Sequence, residues 1–345
     1  MEKPYMDVLF DMQFGSTGKG ALSGYLSQMN EYQAVVSANM PNAGHTAYCP
    51  TTGQKFIHKV LPSGIFSSRL EVVAVGPGAV FDIDRLAEEW AAVDKYLHGN
   101  VTLVIHEAAG ILRSEHREIE QRTLSRISST MQGSAEALIA KIRREPIAIA
   151  KNNGLRIMEK LKGTKVVIVD QAEWLMIFAG RKNILLEGSQ GYSLGISSGF
   201  YPYCTSRECT PARIISDCGL PIGWLNMTYG SCRVHPIRVG NTPDGYSGDW
   251  YFDQVEIHFS DLGVPDETTT VTGRVRRVAT FSEIQIREAM QVGLPDAVFL
   301  NFYQYDKKAG AKAYDIINRA AKDLGCGGVK FIGHGPRPTD IEMVQ

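Results

Sequence analysis

The sequence predicts an α/β protein: a central, mostly parallel sheet with helices on both faces. Three observations point there. Short apolar runs of strand length recur along the chain, several of them followed by turn residues and then a helix. One long segment has clean helical spacing. The first strand-to-helix junction is a glycine-rich turn, which gives the fold a P-loop-like character.

Taken in order, Met6–Phe10 is a short apolar strand. From Ala21 onward, Leu22, Tyr25, Leu26 and Met29 fall three and four apart, as on one helix face. Further strands are expected at Ala34–Ala38, Glu71–Val75, Val101–His106, Lys165–Val169, Ile184–Leu186, Ala297–Leu300 and Val329–Ile332. Ile83, Leu86, Trp90, Val93 and Leu97 mark an amphipathic helix over 83–97. Residues 111–162 are charged and helical in pattern, while 236–272 are rich in Gly, Asp, Thr and Pro. Both read as insertions on the sheet. With no repeat and no flexible linker, the 345 residues are expected to form a single domain with these two lobes.

Composition narrows the function. The formal net charge is −1 and no long basic run occurs, which argues against a nucleic-acid polymer or an anionic membrane as the main partner. The N-terminal residues carry an acid and no apolar core, and no stretch of 18 uncharged apolar residues follows, so a soluble, cytoplasmic protein is expected. The six cysteines show no C-x-x-C pair or zinc spacing and read as free thiols.

Four segments carry chemistry. Gly15-Ser16-Thr17-Gly18-Lys19-Gly20 can turn several backbone N–H groups towards one point, at a helix N-terminus and beside a lysine, which makes a cradle for an anion. It is too short for a Walker A loop, and as a turn it reads equally as plain turn chemistry. Asn42-Ala43-Gly44-His45-Thr46 follows the second strand and puts a histidine where it could act as a general acid near neutral pH, or simply be structural. Glu187-Gly188-Ser189-Gln190-Gly191 follows another strand with an amide that could read a base edge. Thr270 to Arg277 gathers Arg274, Arg276 and Arg277 around a glycine, a grouping suited to carboxylates or phosphates.

Together these segments resemble the adenylosuccinate synthetase family, in order and over nearly the whole chain. Phe14–Gly20 stands where that family has W-G-D-E-G-K-G, and Asn42–Thr46 matches unchanged. Leu61–Ile65, Glu187–Gly191, Tyr201–Tyr203, Thr272–Arg274 and Gly333–Pro336 are similar to its other landmarks. The resemblance implies a ligase that phosphorylates the 6-oxygen of a purine nucleotide and then lets the amine of aspartate displace the phosphate. Catalysis would fall to Ser16, Lys19, His45 and Gln190. The acceptor nucleotide would meet Ser16, Asn42, Ala43, Thr130, Gln190 and Thr205, with Arg143 or Arg144 reaching its phosphate from a second subunit of a homodimer. Thr272, Gly273 and Arg274 would hold aspartate. The nucleoside triphosphate would lie on Gly15, Thr17, Gly18, Lys19, Gly20, Gly44, His45, Thr46, Arg276, Asn301, Gln304, Gly335 and Pro336, with Mg²⁺ at Ser16 and the Gly44 carbonyl.

Two departures refine the reading. Ser16 replaces the family's aspartate, which takes the proton from purine N1. A serine is smaller and uncharged, and it leaves room for a 2-amino group, so guanine becomes the expected acceptor base. After the 297–300 strand, Gln304 stands where an aspartate clamps the guanine of GTP, so the donor is expected to be ATP or dATP. Asp306 would restore that acid if the loop is longer by two residues. Both departures are similar to the family's phage branch, which makes a diaminopurine nucleotide precursor from dGMP, L-aspartate and ATP or dATP. The alternatives are an ordinary family member acting on IMP with GTP, and a catalytically dead nucleotide-binding regulator.

Overall fold

The structure, a computed structural model, describes residues 3–269 and 273–344. A ten-stranded sheet dominates it. In chain order its strands are β1 (Tyr5–Asp11), β2 (Ala34–Ser37), β3 (Val72–Val75), β4 (Thr102–His106), β5 (Val166–Val169), β6 (Asn183–Glu187), β7 (Leu225–Arg233), β8 (Ala297–Asn301), β9 (Val329–Gly333) and β10 (Ile341–Met343). Across the sheet they run β10-β9-β8-β7-β1-β6-β2-β3-β4-β5. Neighbours are parallel throughout except β9 with β10.

The expected strands are all present, shifted by a residue or so at their ends. β7 and β10 are additions. β7, Leu-Asn-Met-Thr-Tyr-Gly-Ser-Cys-Arg, lacks the apolar run of its neighbours, yet it is buried between β1 and β8. It fits there because small residues let other groups approach: Gly230 packs against Met12, and the Ser231 hydroxyl meets Thr17 and the Phe10 carbonyl.

β1 shows how the sheet separates its two faces. Met6, Val8 and Phe10 join one apolar cluster, with Trp174, Phe178, Ile286 and Ile317; Leu9 joins the other, with Leu22, Leu86 and Trp90. Helices Lys19–Met29 (α1) and Ile83–Val93 (α2) therefore cover one face. Gln171–Ala179, Pro211–Asp217, Glu283–Gly293 and Lys307–Leu324 cover the other. α2 starts at Asp82, whose carboxylate accepts from the Asp84 and Arg85 N–H groups, and it stops at Val93, where a 3₁₀ turn (Asp94–Tyr96) carries the chain on to Leu97.

Three helices, Ser114–Thr123, Ser134–Ile142 and Gly154–Lys160, occupy the expected helical insertion. The 236–272 lobe includes strands of a small antiparallel sheet formed by Ile237–Arg238, Glu256–Ile257 and Arg277–Ala279. All six cysteines are free thiols. No helix among the described residues is long and apolar enough to cross a membrane.

Candidate active site

A single turn, residues 12–18, links the end of β1 to the start of α1, and its shape is set by three positive φ angles: Gly15 (88°), Ser16 (55°) and Gly18 (89°). A side chain at Gly18 would run into the Asn301 amide, and one at Gly20 into the Thr46 carbonyl. Gly18 is thus required twice, by conformation and by close approach, Gly15 by conformation alone and Gly20 by close approach alone.

The organising group of the turn is Asp11, which the sequence reading passed over. Its carboxylate accepts from the backbone N–H of Gln13 (2.9 Å) and of Gly15 (3.2 Å), from the Thr17 hydroxyl (2.5 Å) and from the Lys19 ammonium (2.9 Å). The Lys19–Asp11 pair is almost wholly buried. Lys19 also donates to the Gln190 carbonyl at 2.9 Å. The only signal for Asp11 in the sequence is its place at the end of the first strand, beside the turn. Thr17 is fully buried, with its hydroxyl shared between Asp11 and Ser231 at 2.7 Å, so its side chain holds the loop together.

The turn forms one wall of a cavity of about 390 Å³ at the carboxyl ends of β1, β6 and β8. Gly15, Ser16, Gly18, Lys19 and Gly20 line it from this side; Asn42, Ala43, Gly44, His45 and Thr46 line it from the segment after β2. Thr130, Gln190, Thr205, Arg276, Asn301 and Pro336 complete the expected residues found there.

A polar chain runs along the wall after β6. Ser189 donates to the Gln190 amide oxygen (2.9 Å), Gln190 donates to Asn42 (2.9 Å), and Asn42 donates to Thr205 (3.3 Å). Gln190 sits at φ 57°, a conformation in which non-glycine residues are uncommon and which recurs at functional sites.

His45 begins a short hairpin, His45–Tyr48 with Lys55–His58. Desolvation, then the nearby charges of Lys19 and His58, push its pKa down to about 3. The imidazole is therefore neutral near pH 7. Its Nδ1 lies 3.9 Å from the Glu187 carboxylate and has no hydrogen-bond partner. Glu187 is fully enclosed and burial raises its pKa; it accepts from the Ser63 and Gly64 N–H groups and from the Ser23 hydroxyl. This gives the Leu61–Ile65 segment its place, with the Ser63 and Gly64 backbone bonded to the Glu187 carboxylate.

Other expected residues lie elsewhere. Arg143 and Arg144 are exposed at the end of the Ser134–Ile142 helix and do not line the cavity. Gly335 is buried. Gln304 is exposed, Asp306 caps the Lys307–Leu324 helix through the Lys308 and Ala309 N–H groups, and neither lines the cavity. Thr272 lies outside the described residues. Gly273 (φ 67°) and Arg274 are on an arm whose base is held by the Arg276 N–H bonded to the Glu267 carbonyl (2.8 Å). The Arg274 guanidinium donates to the carbonyls of Ser128 (3.1 Å), Ser129 (2.9 Å) and Gly240 (3.3 Å), which places it next to Thr130.

The adenylosuccinate synthetase family model matches residues 8–162 and 151–309. The chain is 44% identical to the N6-succino-2-amino-2′-deoxyadenylate synthase of Vibrio phage phiVC8, over 98% of each chain. It is 42% identical to the protein of the same name from cyanophage S-2L, covering 97% of this chain and 91% of that one. A solved structure of cyanophage S-2L succinoaminodeoxyadenylate synthetase, bound to dGMP and to dATP as energy donor, superposes with a TM-score of 0.90 at 40% identity, over 99% of this chain and 96% of that one. The fold is also that of the Plasmodium falciparum adenylosuccinate synthetase, with a TM-score of 0.76 at 18% identity over 98% of this chain and 99% of the other.

Proposed function

Because the chain belongs to the adenylosuccinate synthetase family, we propose that it joins L-aspartate to C6 of dGMP at the expense of ATP or dATP. The products are N6-succino-2-amino-2′-deoxyadenylate, ADP or dADP, and phosphate. The γ-phosphoryl group passes to the guanine 6-oxygen, the aspartate amine attacks C6, and phosphate leaves with that oxygen.

The residues divide the work as follows. The turn's N–H groups and Lys19 hold the transferring phosphoryl group, and neutral His45 donates a hydrogen bond to the donor's leaving oxygen. The chain from Ser189 to Thr205 faces the acceptor, with Gln190 at the 6-oxygen. Ser16 and Gly44, which would offer a hydroxyl and a carbonyl, line the same cavity. This small oxygen set fits Mg²⁺, which keeps several waters and takes further oxygens from substrate phosphates. Bound there, the ion would neutralise phosphate charge. Arg143 or Arg144 serves the acceptor phosphate of the other subunit in a homodimer, which suits their exposure away from their own cavity.

The observation that carries the choice of acceptor is Ser16. It is exposed at the cavity, on the turn, with a small uncharged side chain where the family's carboxylate would be. The test is phosphate release across IMP, GMP and dGMP against ATP, dATP and GTP. Fastest turnover of dGMP with ATP or dATP is expected; fastest turnover of IMP with GTP overturns the reading, and so does no turnover at all.

Ser16→Asp sharpens that test. Aspartate tolerates φ 55° well, so the backbone is not strained further. The longer, charged group should lower kcat/KM for dGMP by about tenfold or more, the scale of a mismatched polar contact. IMP, which lacks the 2-amino group, should lose less or gain. Unchanged dGMP turnover would remove the size argument.

Arg274→Leu addresses aspartate. A guanidinium can hold a carboxylate through two hydrogen bonds, so the KM for aspartate should rise about tenfold or more while that for dGMP stays within about twofold. Equal rises would reassign Arg274 to bracing Ser128 and Ser129.

A further inference from the structure

The polar chain that runs along the wall after β6 has its root behind the cavity. Arg207 is 6% exposed, and its Nη2 donates to the Ser189 hydroxyl at 2.6 Å. Its Nη1 donates to the Asp217 carboxylate at 3.0 Å and to the Gly78 carbonyl at 3.4 Å. Ser189, Arg207 and Asp217 are all buried and none of them lines the main cavity. Asp217 is the last residue of the Pro211–Asp217 helix, an end where the helix dipole disfavours a carboxylate. Two guanidinium groups hold it there, that of Arg207 and, at 2.8 Å, that of Arg213.

A guanidinium can only donate, and this gives every later bond in the chain its sense. Ser189 must accept from Arg207, which leaves its single hydrogen for the Gln190 amide oxygen at 2.9 Å. The buried positive charge favours the same arrangement, with the oxygen end of the amide on the cationic side. The amide nitrogen then meets the Asn42 oxygen at 2.9 Å, and the Asn42 nitrogen donates to Thr205 at 3.3 Å. Thr205 lies two residues before Arg207, so the chain begins and ends on one segment. Turning the Gln190 amide over would set its nitrogen against Ser189 and take from the serine hydrogen the oxygen that accepts it.

We propose that Arg207 is a positioning residue which, through Ser189, fixes the direction of the Gln190 amide, so that Gln190 offers an N–H and not its oxygen to the group at C6 of the acceptor. The inference rests on the acceptor placement given above and deepens it. Gln190 Nε2 spends one hydrogen on Asn42 and keeps the other for the cavity that Gln190 lines. A 6-oxo purine accepts that hydrogen. A purine with an amino group at C6 meets it with a donor of its own, so the wall selects the substrate's oxygen and disfavours a product that carries N–H there.

Calorimetric titration of the full chain with two nucleotides tests this: dGMP, and 2-amino-2′-deoxyadenosine monophosphate, which keeps the 2-amino group and carries an amino group at C6. The parent should bind dGMP about tenfold tighter or more, the scale of a mismatched polar contact. Ser189→Ala breaks the relay and leaves the Arg207–Asp217 pair in place, and the ratio of the two affinities should fall by about fivefold. Arg207→Met should lower the ratio as far, whereas Arg207→Lys, also a charged donor with no acceptor, should keep it within about twofold of the parent's. Arg213→Gln takes from Asp217 its other partner without touching Ser189, so it should lower the melting temperature and leave the ratio alone. Should Arg207→Met fail to fold, Ser189→Ala decides. A parent without preference for dGMP, or an unchanged ratio in Ser189→Ala, overturns the inference, as does an equal fall in Arg213→Gln, which would mean general loosening. Phosphate release by the parent from dGMP, aspartate and ATP is measured alongside: with turnover present, those results sink this inference alone, and with none the functional reading fails and takes the inference with it.

Discussion

Lys19→Met is expected to lower kcat by about a thousandfold, because in the proposed function the ammonium is the full positive charge that the turn offers to the transferring group. The same substitution strips the Asp11 carboxylate of its charged partner. Asp11 is enclosed and keeps only the Gln13 and Gly15 N–H groups and the Thr17 hydroxyl. Leaving a buried charge unpaired costs about 3–5 kcal/mol, so the melting temperature should fall as well. The two effects separate in the double variant. Adding Asp11→Asn removes the stranded charge and should recover most of the stability with no gain in turnover. Recovery of turnover to within tenfold of the parent would show that Lys19 only holds the loop.

His45→Asn is expected to cost about 10²- to 10⁴-fold in kcat, with KM values little changed. The pH dependence identifies how His45 works. With a pKa near 3, the free enzyme already holds the neutral imidazole throughout the working range. The kcat/KM profile, which reports the free enzyme, should therefore show no step from His45 between pH 6 and 8. A step near 6.5 in the parent that disappears in His45→Asn would mean that the histidine titrates normally and acts as a charged acid. The linked stability effect has a definite sign. The unfolded histidine takes its proton near pH 6.5 and the folded one only near 3, so this group makes folding less favourable as pH falls between those values.

Most of the site was legible in the sequence because it lies on short segments directly after apolar strands. Gly15–Gly20, Asn42–Thr46 and Gln190 occupy the positions that the strand-turn-helix pattern assigns to a ligand, and all but Thr17 line one cavity. What escaped depends on contacts between distant segments. Asp11 shows nothing in sequence to distinguish it from any acid at a strand end, and its role exists only because Thr17 and Lys19 fold back onto it. β7 was invisible to apolar patterning, since Gly230 and Ser231 are chosen for the closeness of Met12 and Thr17. Gln304 follows a left-handed turn at Phe302 and is exposed off the cavity, a path that the sequence does not show.

The place of β1 in the sheet also governs how the protein comes to exist. Tyr5 pairs with Asn183, and Met6 with Leu225, so this strand leaves the ribosome well before either of its neighbours has been made. At cellular synthesis rates of about 5–20 residues per second, an apolar strand with two open edges waits for roughly ten seconds or more. Closure then joins segments far apart in sequence, the slow kind of contact in folding. The glycine-rich turn, short and local as it looks, is thus expected to wait on strands made far later, and recombinant yield should depend on slow synthesis and on holdase chaperones during that interval.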